Sequence, residues 1–124
     1  MEVLYHIAVA GDWAQAQRDG EYRMSTRGRT LAEEGFIHTS TAGQVIPVAT
    51  AFYQDEPQDL LLLVLDPARI GAEVRWEEVP GSAEPFPHIY GPLPVTAVRR
   101  AVPLQRDESG QFRFPPELTS GRPG

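Results

Sequence analysis

Six consecutive apolar residues, Leu60–Leu65 (Leu-Leu-Leu-Leu-Val-Leu), restrict this chain more than any other feature of it. The run has the length of a strand and is far too short to span a bilayer as a helix. Successive strand side chains point to opposite faces, so this segment has no polar side to turn to water. It is expected to be a central strand covered on both faces, ended by Asp66-Pro67. The chain of 124 residues has material for one such core and no room for a second. With 41% hydrophobic and 23% charged residues, it falls among ordinary globular proteins rather than disordered ones.

The flanking segments must supply the cover. Residues 3–9 read as a first strand carrying Tyr5, His6 and Ile7. Asp12 is placed to cap a short helix over 13–19, closed by Gly20, with Trp13 and Ala16 facing inward. Residues 21–29 are polar and arginine-rich, with Gly28 as a breaker, and read as a loop. Thr30 caps one helical turn over Leu31–Glu34 ending at Gly35, and residues 36–38 form a short strand. From Thr41 a helix runs to about Gln54, with Val45, Val48, Ala49, Phe52 and Tyr53 at helical spacing. Pro47 would break it beyond the first turn, so the regular helix is expected to start near Ile46.

The second half reads as strands. Residues 73–79 alternate as an exposed edge, grouping Val74, Trp76 and Glu78 on one face and Arg75, Glu77 and Val79 on the other. A Gly/Pro-rich loop over 80–87 leads to an extended His88-Ile89-Tyr90, in which His88 and Tyr90 share a face. Residues 95–104 form another strand, and 111–114 a last one after a turn at 107–110. The expected fold class is α+β, with short, mainly antiparallel strands and two or three helices mostly in the N-terminal half. Residues 1–114 make a single domain, and the Pro/Gly-rich 115–124 a flexible tail.

Charge and composition exclude several function classes. A net charge of −6 argues against a broad nucleic-acid interface, which needs a basic field. All eleven basic residues are arginine, a fork suited to phosphates and carboxylates but also the bias of a GC-rich genome. No cysteine is present, which removes disulfides, thiol catalysis and cysteine metal sites. Met1-Glu2-Val3 does not open a secretory signal, so a cytoplasmic location without membrane association is expected. Neither a GxSxG elbow nor a P-loop pattern occurs.

The chemistry therefore rests on three histidines. His6, His38 and His88 each lie on a strand segment beside aromatic or hydroxyl residues, and are expected to line one polar cleft. His6, on an otherwise apolar strand, also fits a hydrogen-bonded core residue. His38 opens into Thr39-Ser40-Thr41, whose hydroxyls either cap the next helix or, with its N-terminus, hold an anion. Prolines and a glycine around His88 and Tyr90 hold that pair for ligand contact, or simply form a corner. A three-histidine zinc site is an alternative, with ligands 32 and 50 positions apart. Only one of Glu77 and Glu78 can enter a cleft, since neighbours on a strand face opposite ways.

Taken together, Tyr5-His6-Ile7, Trp13, Glu34-Gly35-Phe36-Ile37-His38-Thr39-Ser40, Gln44, Phe52-Tyr53, Trp76-Glu77 and Phe86-Pro87-His88-Ile89-Tyr90-Gly91-Pro92-Leu93 closely resemble the bacterial "domain of unknown function 952" family over residues 3–114. The resemblance implies a compact ADP-ribosyltransferase-like split sheet around a cleft for NAD or another phosphorylated nucleotide. It implies that His6 contacts a ribose or phosphate oxygen, and that His38 and His88 are the catalytic pair. Thr39 and Ser40 would orient the ligand, Tyr90 would close the far side, and Trp13 or Trp76 would stack on a base. The late glutamate of that superfamily is missing between His88 and Tyr90; Glu77 or Glu78 could replace it. The RNA 2′-phosphotransferases, which use His and Arg instead, offer a second analogy through His38, His88 and one of Arg23, Arg27 or Arg29. The implied activity is group transfer from a nucleotide. A non-catalytic binding or interaction module on the same fold is the rival, and a histidine-based metal-dependent hydrolase the third reading.

Overall fold

The computed structural model describes residues 3–118. In chain order the elements are β1 (Leu4–Val9), α1 (Ala10–Asp19), β2 (Glu21–Tyr22), β3 (Met24–Thr26), β4 (Arg29–Thr30), α2 (Leu31–Glu34), β5 (Ile37–His38), α3 (Ala42–Phe52), β6 (Leu60–Leu65), β7 (Glu73–Glu77), β8 (Phe86–Tyr90), β9 (Leu93–Pro94) and β10 (Val98–Pro103). Single 3₁₀ turns occupy Pro67–Arg69, Val95–Ala97 and Pro116–Leu118. The class is α+β, with the three helices in the N-terminal half and every strand pair antiparallel.

Two three-stranded sheets organise the molecule, in the orders β1-β6-β10 and β5-β8-β7. One backbone bridge joins them. Tyr5 of β1 and Ser40, just beyond β5, exchange both backbone hydrogen bonds at 2.8 Å. The apolar run is the central strand of the first sheet, as its composition requires. Leu63 and Leu65 point into one core with Ile37, Ile89 and Leu93; Leu60 and Leu62 point into another with Ile7, Val45 and Val102. Fully burying such a side chain is worth about 1.5–3 kcal/mol, and every member of the run but Leu61 is buried.

α2 follows its sequence signals closely. Thr30 and Glu33 form a capping box, and Gly35 ends the turn at φ +91°, a left-handed conformation that costs glycine nothing. α1 starts earlier than expected: its N-cap is Val9, and Asp12 lies inside the first turn, where a carboxylate favours the helix dipole. Gly20 closes it as expected.

α3 also starts earlier, at Ala42 rather than near Ile46, and holds Pro47 in its interior. Thr41 and Gln44 form its capping box, with the Thr41 N–H donating to Gln44 Oε1 at 3.0 Å. Pro47 and Gly43 both lie on the exposed side, so the Gly43 carbonyl that loses its partner faces water. Val45, Val48 and Ala49 are buried. Phe52, one heptad from Val45, is 57% exposed on the last turn, while Tyr53 leaves the helix and enters the core.

Residues 21–29 are not a loop. β2 pairs with β9, and β3 with β4 across a turn at Arg27-Gly28. Two- and three-residue strands are too short to show a period, and β2 is held by a partner some seventy residues away. Residues 95–97 form a 3₁₀ turn before β10, and Phe112 makes only an isolated bridge with Arg106. Part of the expected tail is packed: Pro115 is buried and Leu118 lies against the second core. The remainder, 119–124, lies outside the described residues. No helix among the described residues is long and apolar enough to cross a membrane.

Candidate functional site

The second sheet has two unlike faces. Its cross-strand partners are His38 with His88, Arg75 with His88, Glu77 with Phe86, and Glu73 with Tyr90. Directly opposed residues of an antiparallel pair project to the same side, so one face collects these seven residues. The other carries Ile37, Pro87, Ile89, Val74 and Trp76, with Ile37 and Ile89 fully buried in the first core.

On the polar face a chain of hydrogen bonds runs from carboxylate to imidazole. Glu77 Oε1 accepts from Tyr90 Oη at 2.6 Å and from His88 Nδ1 at 2.7 Å. The hydroxyl and imidazole donors hold the Glu77 carboxyl below its usual range. Glu77 thereby assigns the neutral His88 tautomer: Nδ1 carries the proton and Nε2 the lone pair. His88 Nε2 lies 3.3 Å from His38 Nδ1, which must then be the donor. By the same logic His38 Nε2 keeps its lone pair. It is buried and has no hydrogen-bond partner among the described residues. Burial, then the neighbouring His88 and His6, pushes His38 down to about 4. The imidazole is therefore neutral near pH 7.

Aromatic rings frame this chain. Phe36 stacks on His88 at 4.0 Å and 13°, and Phe86 lies 5.0 Å from His38. The Arg75 guanidinium sits 4.4 Å from the Tyr90 ring centre and pairs with Glu73. His88 itself is only 3% exposed.

His6 lies at the junction of the two sheets, and both its nitrogens are in use. Nδ1 donates to the His38 carbonyl at 2.6 Å, and Nε2 accepts from Tyr22 Oη at 2.9 Å. Burial pushes its pKa to about 4. Its position holds the His38 backbone; its ring is not free to grip a ligand while those bonds last. Thr39 is likewise committed, its hydroxyl donating to the Pro87 carbonyl at 2.6 Å. Ser40 bridges the sheets through its backbone, and Thr41 serves the α3 cap. Of the two readings of these hydroxyls, Thr41 follows the capping one.

The structure thus brings His38, His88, Glu77 and Tyr90 together, with His6, Thr39 and Ser40 directly behind them. Glu77, not the exposed Glu78, reaches the histidines. The tryptophans stand apart: Trp76 lies on the opposite face of the sheet, and Trp13 packs against the first core, its ring 6.5 Å from that of Tyr22. Arg23, Arg27 and Arg29 pair with Glu21, with Asp55 and Glu56, and with Glu34. Among the described residues no group of three or more His, Cys, Asp or Glu could hold a metal ion. His6, whose nitrogens are both engaged, shows why the three histidines do not form one.

Phe36, Phe86, Tyr22, Ser25 and Arg75 were not singled out from the sequence. Strand alternation through His88 and Tyr90 would have found Phe86, and through His38 would have found Phe36. Nothing local marks Tyr22 or Ser25, which lie in a segment without visible periodicity.

Solved structures share this fold. The crystal structure of protein CC0527 from Caulobacter crescentus is 28% identical, with a TM-score of 0.79, and the match covers 94% of this chain and 98% of that one. A crystal structure of a double mutant of CC0527 matches equally well. The solution structure of CC0527 is 30% identical over 95% and 97% of the two chains, with a TM-score of 0.75. No curated protein matches the chain. A family model matches residues 7–101, a span that holds β5, β7 and β8 whole and begins one residue after His6, and the chain belongs to that family, described as protein of unknown function (DUF952).

Proposed function

We propose that this protein binds a phosphorylated nucleotide, NAD or a close relative, against the polar face of the second sheet, and that His38 acts there as a general base in group transfer. On this reading the fold is an ADP-ribosyltransferase-like split sheet. The two three-stranded halves joined at Tyr5 and Ser40 support that reading of the architecture.

The observation that carries the proposal is the Glu77–His88–His38 chain. A carboxylate fixes one imidazole, which fixes a second, and the second presents a lone pair at neutral pH. Phe36 and Phe86 offer flat surfaces for a base, taking the part assigned from sequence to Trp13 or Trp76. Tyr90 and Glu77 can bond ribose hydroxyls, and Arg75, beside Tyr90 on the same face, is a cation that can meet a phosphate. In transfer from NAD the C1′–N bond to nicotinamide breaks with its electron pair leaving on nicotinamide. The acceptor's oxygen bonds C1′, and its proton passes to His38 Nε2 by way of the small cavity that this buried atom lines.

A non-catalytic module is the second reading. It is favoured by the 2% and 3% exposure of His6 and His88, whose nitrogens satisfy groups of the protein itself. Thermal-shift titration with NAD, ADP-ribose and a 2′-phosphorylated nucleotide, paired with an assay for released nicotinamide, separates the two. A dose-dependent rise of the midpoint, with release that falls by about 10²–10⁴ in His38→Ala, is the expected result. A rise without release selects the module. No rise with any nucleotide overturns the binding reading itself.

A further inference from the structure

Two buried polar atoms on neighbouring elements lack a partner among the described residues: Ser25 Oγ on β3 and His38 Nε2 on β5. Ser25 is 1% exposed. Native interiors satisfy nearly all such groups, so two orphans side by side call for a common explanation. Both residues line one internal cavity of about 10 Å³, together with Ser40 and Tyr53, and Ile7 and Val48 close it with apolar surface. A space of that size accommodates about one water molecule, which needs two to four polar partners.

The donor and acceptor roles are complementary. Glu77 forces His88 Nδ1 to donate and, through His88, leaves His38 Nε2 as an acceptor. The Thr39 hydroxyl is spent on Pro87 and cannot reach back to serve it. A water can donate one hydrogen to His38 Nε2 and use its remaining hydrogen and lone pairs on the hydroxyls of Ser25 and Ser40. Ser25 bonding Nε2 directly would satisfy the same pair, but the two side chains are not within hydrogen-bond reach.

We propose that this cavity is a built site for a single water molecule held between His38 Nε2 and Ser25 Oγ, and that Ser25 is a positioning residue of the histidine site. The hydrogen-bonded chain then runs from the half-buried Glu77 and Tyr90 through His88 and His38 to an internal water at the junction of the sheets. The water donates to a lone-pair imidazole, the arrangement from which a proton can be withdrawn. The site belongs to the free protein and stands whether or not a nucleotide binds.

A high-resolution crystal structure of the wild-type protein without added nucleotide is the first test. One solvent peak within hydrogen-bond distance of both Ser25 Oγ and His38 Nε2 is expected. A cavity without density, or a direct Ser25–His38 bond, overturns the proposal. In solution, the His38 Nε2 resonance of ¹⁵N-labelled protein should show a hydrogen-bonded lone-pair nitrogen, with water cross-relaxation to the His38 ring. In Ser25→Ala that resonance should move toward the unbonded value; Ser25→Thr, which keeps the hydroxyl but adds a methyl to the cavity, should also lose the water signal. An unchanged His38 resonance in folded Ser25→Ala removes Ser25 from the site. Should that variant not fold, the wild-type structure still decides.

Discussion

The sheets β1-β6-β10 and β5-β8-β7 have the same number of strands and the same antiparallel pairing, yet they are used differently. The first is covered on both faces, so Leu62 and Leu63, neighbours in β6, are both 0% exposed in different cores. The second is covered on one. Ile89 is fully buried, whereas Tyr90 beside it stands on a half-open face with Glu77 and Arg75. A sheet covered twice has only packing to offer. One covered once can stabilise through one side chain parity and carry chemistry on the other.

Acid should produce the largest difference. His6 and His38 are held neutral in the folded protein, with pKa values near 4 against 6.5 in an unfolded chain. Between pH 6.5 and 4 the unfolded state therefore binds more protons, and stability present above pH 6.5 is lost as pH falls through that window. Each imidazole accounts for roughly 3 kcal/mol when the loss is complete. Urea unfolding at a series of pH values measures this; a flat profile from pH 7 to 4.5 would mean that the junction is not sealed.

Parity within β6 comes next. Leu62→Ala and Leu63→Ala should each cost about 2–5 kcal/mol, since both leave a cavity in a closed core. If either is cheap, the first sheet is not covered twice. Thr39→Val should cost about 1 kcal/mol by losing the hydroxyl bond to Pro87 while keeping the shape. Tyr90→Phe should cost least, under about 1 kcal/mol, because its partner Glu77 is a third exposed. Its readout is elsewhere: with the largest cause of its depression removed, the Glu77 carboxyl should titrate at higher pH by ¹³C NMR. A large stability loss in Tyr90→Phe would make the polar face structural and end the contrast between the sheets.

Several parts of this arrangement are legible from residues alone. The α2 turn follows from Thr30, Glu33 and Gly35, which act within five positions of one another. The exposed edge β7 and the shared face of His88 and Tyr90 follow from alternation, and that same alternation separates Glu77 from Glu78. Pro47 misleads because its cost depends on whether the freed Gly43 carbonyl meets water, which local sequence does not state. Residues 21–29 mislead because β2 exists only through β9. Trp76 is misplaced for a related reason: alternation puts it opposite Glu77, but which of those two faces meets the core depends on Ile37 and Ile89.

The sequence by itself determined a doubly covered central strand, an α+β class and the placement of three histidines on three strands. These depend on periods and caps acting over a few residues, where side-chain direction follows from backbone geometry. Only the tertiary structure decided that His38 and His88 touch, that His6 is engaged by Tyr22 and the His38 carbonyl, and that Ser25 lines the same small cavity as His38. The histidine contacts span 16 to 50 positions. They follow from how two sheets meet at one backbone bridge, a balance of packing over the whole core that no short segment encodes.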